Sequence, residues 1–164
     1  MNFDNQFNDN PEIDPNKEYW CSPFVKSKGF TKLMKLVLMG DKYLDEIKKE
    51  LLINPSTINI KNDKGWTALI ISARNTNTKS SNTIIKLLLE NKANINDKNN
   101  YGITALMYAC ENYRTTSSEQ TVKLLLEYDT NIDDTATLIM LVNVTNKIIR
   151  NTVQTNIPIN QSEP

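Results

Sequence analysis

The chain has 164 residues, 19 basic and 19 acidic side chains and no histidine, so its formal net charge is zero. That balance argues against a protein built to hold phosphate backbones, whose affinity comes from an excess of Lys and Arg. The missing histidine removes the commonest general base and the commonest metal ligand, and no apolar run approaches the ~20 residues of a membrane-spanning helix.

The first stretch, "MNFDNQFNDNPEIDP", is acidic and polar and lacks the basic start and apolar middle of a signal peptide. A cytosolic protein is therefore expected, with residues 1–18 as a disordered or weakly docked arm. "NKEYWCSPFVKSKG" follows, and its Tyr19, Trp20, Phe24 and Val25 are too apolar for a tail. They are expected to cover the open edge of the first structural unit; a docking motif for a partner is the alternative. Cys21 and Cys110 lie far apart and fit no metal spacing, and a reducing compartment disfavours a disulfide.

From residue 29 onward the chain repeats itself. Shifted by 37 positions, residues 62–97 match residues 99–134 at 17 of 36 places, with Gly65 on Gly102, Thr67 on Thr104 and "KLLLE" on "KLLLE". A fainter copy precedes them, with "GFTKLM" at Gly29, and an abbreviated one follows, "TLIMLVNVTNKIIRN", which lacks the glycine turn. Units of about 29–61, 62–98 and 99–134 and a C-terminal helical cap over 135–153 are predicted, with 154–164 as a flexible tail. A fixed period of this size is the signature of a stacked solenoid.

Each unit reads the same way. Asn62-Asp63-Lys64-Gly65 is turn chemistry, with glycine free to take positive φ. Thr67 is placed to cap a short helix, "ALIISAR". "NTNTKSSN" breaks it, and Ile84, Ile85, Leu87, Leu88 and Leu89 make a second helix. Neither helix buries its apolar side within one unit, so neighbours must cover each other. Terminal units should be more polar outside, as Asp45, Glu46, Lys48, Lys49 and Glu50 suggest.

This turn, short helix, loop, longer helix and return resembles the ankyrin repeat. The family pattern of Gly-x-Thr-Pro-Leu-His, a small pair and Leu-Leu-x-x-Gly-Ala corresponds to "GWTALI…SA…LLENKANIN" and "GITALM…AC…LLEYDTNID". The resemblance covers roughly residues 29–153 and implies an all-α, ankyrin-like helix-turn-helix solenoid. There are departures. The family proline is Ala68 and Ala105, and its histidine is Ile70 and Met107, so apolar packing must replace the links that histidine makes. The helix-ending glycine is Lys92, then Asp129; in the first copy it is Pro55, which cannot adopt positive φ. The period is 37 against a norm of 33, and the surplus falls at Asn75–Asn82 and Asn112–Glu119. The chain holds 23 asparagines and is rich in Ile and Lys. With the long unit, this bias is similar to that of ankyrin-repeat proteins of giant, amoeba-infecting DNA viruses, which are taken to engage host proteins.

By that resemblance, turn tips and the outer side of the short helices form a recognition face. It would carry Asp63, Lys64, Trp66, Arg74 and Asn75 in one unit and Asn100, Tyr101, Ile103, Glu111 and Asn112 in the next. Trp66 and Tyr101 would serve as aromatic contacts; the other reading of Trp66 is a residue packed on the next turn. Tyr108 is expected to pack, and Cys110 to be a core thiol. The elongated loops, with Tyr113 and Arg114, form a polar ridge or are merely solvated. The expectation is a non-catalytic, monomeric module that binds a host or viral protein, with no cofactor, metal, nucleic acid or membrane. The alternative is a self-associating structural or virion-associated component.

Overall fold

A computed structural model describes residues 18–22, 25–76, 82–111, 119–128, 135, 138–139 and 141–146, with only the backbone given for 19–22 and 25. The chain divides into two compact units, Met1–Asn131 and Ile132–Pro164. The first opens with an antiparallel pair, β1 (Tyr19–Ser22) and β2 (Val25–Ser27), in which Tyr19 faces Ser27 and Trp20 faces Lys26. Three helix pairs follow: α1 (Lys32–Met39) with α2 (Leu44–Ile53), α3 (Ala68–Asn75) with α4 (Asn82–Glu90), and α5 (Ala105–Glu111) with α6 (Glu119–Tyr128). The short helices lie side by side in the order α1, α3, α5, and α4 lies beside α6. This is the lateral stack that the repeat demands. The strand pair was not anticipated; β1 runs beside α3, the short helix of the second helix pair.

Three threonines start the short helices. The hydroxyl oxygens of Thr31, Thr67 and Thr104 accept from the backbone N–H of Met34, Ile70 and Met107 at 3.1, 3.2 and 3.2 Å. Each satisfies one of the donors that a helix start leaves without a partner. Behind them the core fills with Leu33, Met34, Ile47, Leu69, Ile70, Ile71, Ile84, Ile85, Leu88, Leu106 and Leu125, all fully buried. Ile70 and Met107, at the family's histidine positions, are buried as apolar packing requires.

The turns are built around two buried asparagines. Asn62 Oδ1 accepts from the N–H groups of Lys64 and Trp66 at 3.1 and 2.9 Å, while the Gly65 N–H donates to the Asn62 carbonyl at 2.9 Å. Asn99 repeats this with Tyr101 and Ile103, both at 3.0 Å, and with Gly102 at 2.9 Å. One asparagine, through its side-chain oxygen and its own carbonyl, thus holds three consecutive N–H groups of each turn.

Consecutive turns are then tied together. The Asp63 N–H donates to the Lys28 carbonyl at 3.2 Å, and its carboxylate accepts from the Lys28 N–H at 3.0 Å and from the Ser27 hydroxyl. One unit on, the Asn100 N–H donates to the Lys64 carbonyl at 3.0 Å and its carboxamide to the Asp63 carbonyl at 3.0 Å. The returns are tied too: Lys61 meets the Asp97 carboxylate at 2.9 Å, and Asn59 bridges the Lys92 carbonyl and the Asn94 N–H at 3.3 and 2.8 Å.

Helix exits follow the substitutions at the glycine position. Lys92 takes φ 67°, and the N–H groups of Lys92 and Ala93 donate to the carbonyls of Leu89 and Leu88 at 2.9 and 3.0 Å. That is a Schellman motif closed by a non-glycine residue. After α2, Pro55 opens a 3-10 turn, Pro55–Thr57, instead. Asp45, Glu46, Lys48 and Lys49 are exposed, as expected of a polar first unit, but that expectation needs correction at Glu50. Glu50 is buried, paired with Lys32 at 3.1 Å and bonded by Asn54 at 3.0 Å, while Leu52 is 83% exposed.

In the second unit, residues 141–146 are helical and the Thr145 hydroxyl donates to the Leu141 carbonyl at 2.9 Å. Residues 1–17 of the arm anticipated over 1–18, most of both elongated loops, Asp129, most of the remaining C-terminal cap and the tail fall outside the described residues.

Two glycine substitutions should separate turn conformation from stacking. Both Gly65 and Gly102 sit at φ 76°, but a Cβ on Gly65 would lie 2.5 Å from Asn100 Oδ1 and 2.7 Å from its backbone nitrogen. At Gly102 it would meet nothing within 4 Å. Urea unfolding should show Gly102→Ala losing about 1–2 kcal/mol for its backbone alone, and Gly65→Ala losing clearly more. Lys92→Gly should stabilise by roughly 0.5–1 kcal/mol, read as a higher unfolding midpoint at unchanged slope.

Candidate functional site

Among the described residues no group of three or more His, Cys, Asp or Glu side chains could hold a metal ion. No described helix is long and apolar enough to cross a membrane. The expected exposed side of the short helices needs correction: α3 and α5 are buried except at half-buried Arg74 and exposed Glu111, so the candidate surface is the turn tips with those two helix ends.

The ten expected contact residues do not share one environment. Tyr101 is 58% exposed, on a turn whose backbone Asn99 holds rigid. Glu111 is exposed at the end of α5, and Lys64, Arg74 and Ile103 are half-buried. Arg74 and Glu111 occupy the same position in adjacent units. Burial lowers the Arg74 pKa from its usual value, and the Glu111 charge, with Tyr108, opposes that shift. An Arg and a Glu at neighbouring helix ends, with a tyrosine at a tip, make a mixed and shallow surface. Asp63 and Asn100 are exposed, yet their polar groups are spent on the joints between turns. They shape the tips, and contact with a partner would compete with the stack. Asn112 lies outside the described residues.

Two of the expected contacts are corrected. Trp66 is 0% exposed and stacks on Tyr108 of the next unit, with ring centroids 5.0 Å apart. Its ring fills the gap between units, so it is a packing residue. Asn75 is buried, and its carboxamide donates to the Ile71 carbonyl at 2.8 Å, closing the end of its own helix. Tyr108 packs as expected.

Asn62 and Asn99, expected only as turn residues, are the buried closers of their turns. The signal was present, because Asn-x-x-Gly recurs in both units at the same place, and an asparagine carboxamide is the usual closer of such turns. The two are not equally satisfied. Asn99 Nδ2 reaches the Tyr108 hydroxyl at 3.2 Å. Asn62 has Ile71 at the equivalent position, and its Nδ2 is buried without a partner, as is Trp66 Nε1.

Cys110 is buried in α5, where the preceding unit has Ala73, and desolvation pushes its thiol up to about 11. It stays protonated at neutral pH and lacks the thiolate character that nucleophilic chemistry needs. On the outer helices, an open groove is lined by Asn82, Thr83, Lys86, Gln120, Lys123 and Leu124, with Glu127 at its edge. Its lysines face Glu90 at 3.9 Å and Glu119 at 2.6 Å, so it carries both charges and selects for neither.

A tied turn, a threonine-capped short helix, a longer helix and a return, stacked with neighbours, is the geometry of one family. The family model for ankyrin repeats in three copies matches residues 28–136. The chain belongs to the ankyrin-repeat family. Ankyrin repeats are in general non-catalytic modules of protein–protein interaction. This ankyrin-repeat chain is similar to two proteins of Acanthamoeba polyphaga mimivirus. It is 39% identical over 66 residues to ankyrin repeat protein L91, and 42% identical over 74 residues to ankyrin repeat protein L88. The matches cover 35% and 39% of this chain but only 10% and 8% of those proteins. A solved complex, Bd0816 predatory endopeptidase from Bdellovibrio bacteriovorus with immunity protein Bd3460, aligns at 30% identity. That alignment has a TM-score of 0.49 and covers 62% of this chain and 47% of that one.

Emptying the Trp66 site should cost about 3–5 kcal/mol in Trp66→Ala, whereas Tyr101→Ala should stay within ~0.5 kcal/mol of the parent; thermal melts of the pair decide this. With Cys21 replaced by Ser, Cys110 should react with a thiol reagent only as fast as the protein opens. Prompt labelling of native protein would contradict its placement.

Proposed function

We propose that this chain is a non-catalytic binding module for a host or viral protein. Its contacts are Tyr101 at a turn tip, with Lys64, Arg74, Ile103 and Glu111 around it. The observation that carries the reading is the exposed Tyr101 ring on a rigid turn. An aromatic side chain held on a fixed backbone buries much area for little entropy, which is what a contact residue needs. The Arg74 and Glu111 charges favour a partner with complementary charges at matching spacing, supplying orientation more than affinity. Similarity to mimivirus ankyrin proteins supports a partner from an infected amoeba or from the virus itself.

The test is affinity capture from amoebal and infected-cell extracts with the parent chain, Tyr101→Ala and Arg74→Ala. A specific partner should be retained by the parent and lost by Tyr101→Ala, with melting temperatures unchanged. Equal capture by both would remove Tyr101 from the surface. Light scattering should give a concentration-independent mass near 18.8 kDa; a mass that grows with concentration would favour self-association instead.

A further inference from the structure

Among the described residues, the joints between turns leave one end of their ladder without a partner. Asn100 docks on the preceding turn with its backbone N–H on the Lys64 carbonyl and its carboxamide on the Asp63 carbonyl, both at 3.0 Å. It can do so because Gly65 has no Cβ; one built there would collide with Asn100 at 2.5–2.7 Å. The next turn offers the same socket. Tyr101 and Asn100 carbonyls stand where those of Lys64 and Asp63 stand, and neither accepts a hydrogen bond from a described residue. Gly102 again has φ 76°, and among the described residues nothing lies within 4 Å of a Cβ built there. The sequence does not supply the plug, because the residues 37 positions after Asn99–Gly102 are Ala136, Thr137, Leu138 and Ile139. They include neither the asparagine nor the glycine of the turn.

We infer that the Asn99–Gly102 turn is a docking site for a like turn of another repeat protein, one with asparagine second and glycine fourth. The occupant is fixed by continuity with the ladder inside this chain, whose last joint already shows which donors fill such a socket. A second copy does not fit, because its Asn100 donors are spent on its own Asp63 and Lys64. Two carbonyls aimed at one side recognise paired donors, and the bare Gly102 admits backbone at close range. This site uses the backbone carbonyls of the turn whose Tyr101 side chain belongs to the proposed contact face, so the two adjoin but recognise through different groups. A protein that binds partners there but ignores a turn at Gly102 would refute this inference and leave the other reading standing.

The probe is a cyclised peptide that holds Asn-Asn-Tyr-Gly as a turn, titrated into the isotope-labelled full chain and followed by amide chemical shifts. Saturable shifts should centre on Tyr101, Gly102 and Ile103. The control peptide Asn-Ala-Tyr-Gly, which loses the carboxamide, should bind about tenfold more weakly. Gly102→Asn should abolish the shifts, since asparagine tolerates positive φ but brings the Cβ that the socket excludes. Should that variant fail to fold, the control peptide still decides the matter. Absence of shifts, equal shifts with both peptides, or undiminished binding to folded Gly102→Asn would overturn the inference. So would concentration-dependent shifts at the same amides without peptide, which would make a second copy the occupant.

Discussion

A buried carboxamide accepting two backbone N–H groups is the interaction on which the rest of this stack depends. Asn62 and Asn99 each close a turn from inside, presenting one buried side-chain oxygen to two backbone donors. Losing that oxygen would remove both bonds at once, and the Trp66 N–H, which is buried, would bear the cost of an unpaired donor, larger than the gain from an average hydrogen bond. With the turn held, its outer edge has a defined shape, and the next turn can be laid against it. The helices inherit their spacing from that register: α1, α3 and α5 lie side by side because the turns that precede them do.

The units are variations on one plan, and the differences trace to single residues. Tyr108 gives Asn99 an acceptor for its amide and gives Trp66 a ring to stack on. Its counterpart Ile71 does neither for Asn62. The repeat over residues 62–98 buries two polar nitrogens without partners, Asn62 Nδ2 and Trp66 Nε1, a cost of about 1–3 kcal/mol each, against the apolar area that a wholly enclosed tryptophan removes from water. Position by position, then, the same fold tolerates a satisfied and an unsatisfied version of its own turn.

Much of this was legible in the sequence. The repeat exposed the stack, the threonines their caps, Lys92 its left-handed exit and Pro55 its different one, because each rests on local geometry that one or two residues dictate. The contact face was less legible. Trp66 and Tyr101 stand two places apart in register, and only packing across units reveals that the first points into the stack and the second out of it. Asn75 was read as surface because asparagine ends helices in solvent as readily as it caps them from within. Glu50 looked like one more charge on a polar helix, and its burial depends on Lys32 from another helix. The β1–β2 pair escaped notice because its three- and four-residue strands fall in an aromatic stretch with no clear alternation.

The joints that tie turn to turn include carboxamides and backbone groups, and the chain has no histidine. An amide side chain has no proton to gain or lose across the biological range. Relatives that link their units through imidazole carry a titrating group in the seam, whereas these asparagine seams have none. Acidification would leave the Asn100 joint, made of a carboxamide and backbone groups alone, chemically unaltered, so that one seam would keep its form in a neutral or an acidified compartment.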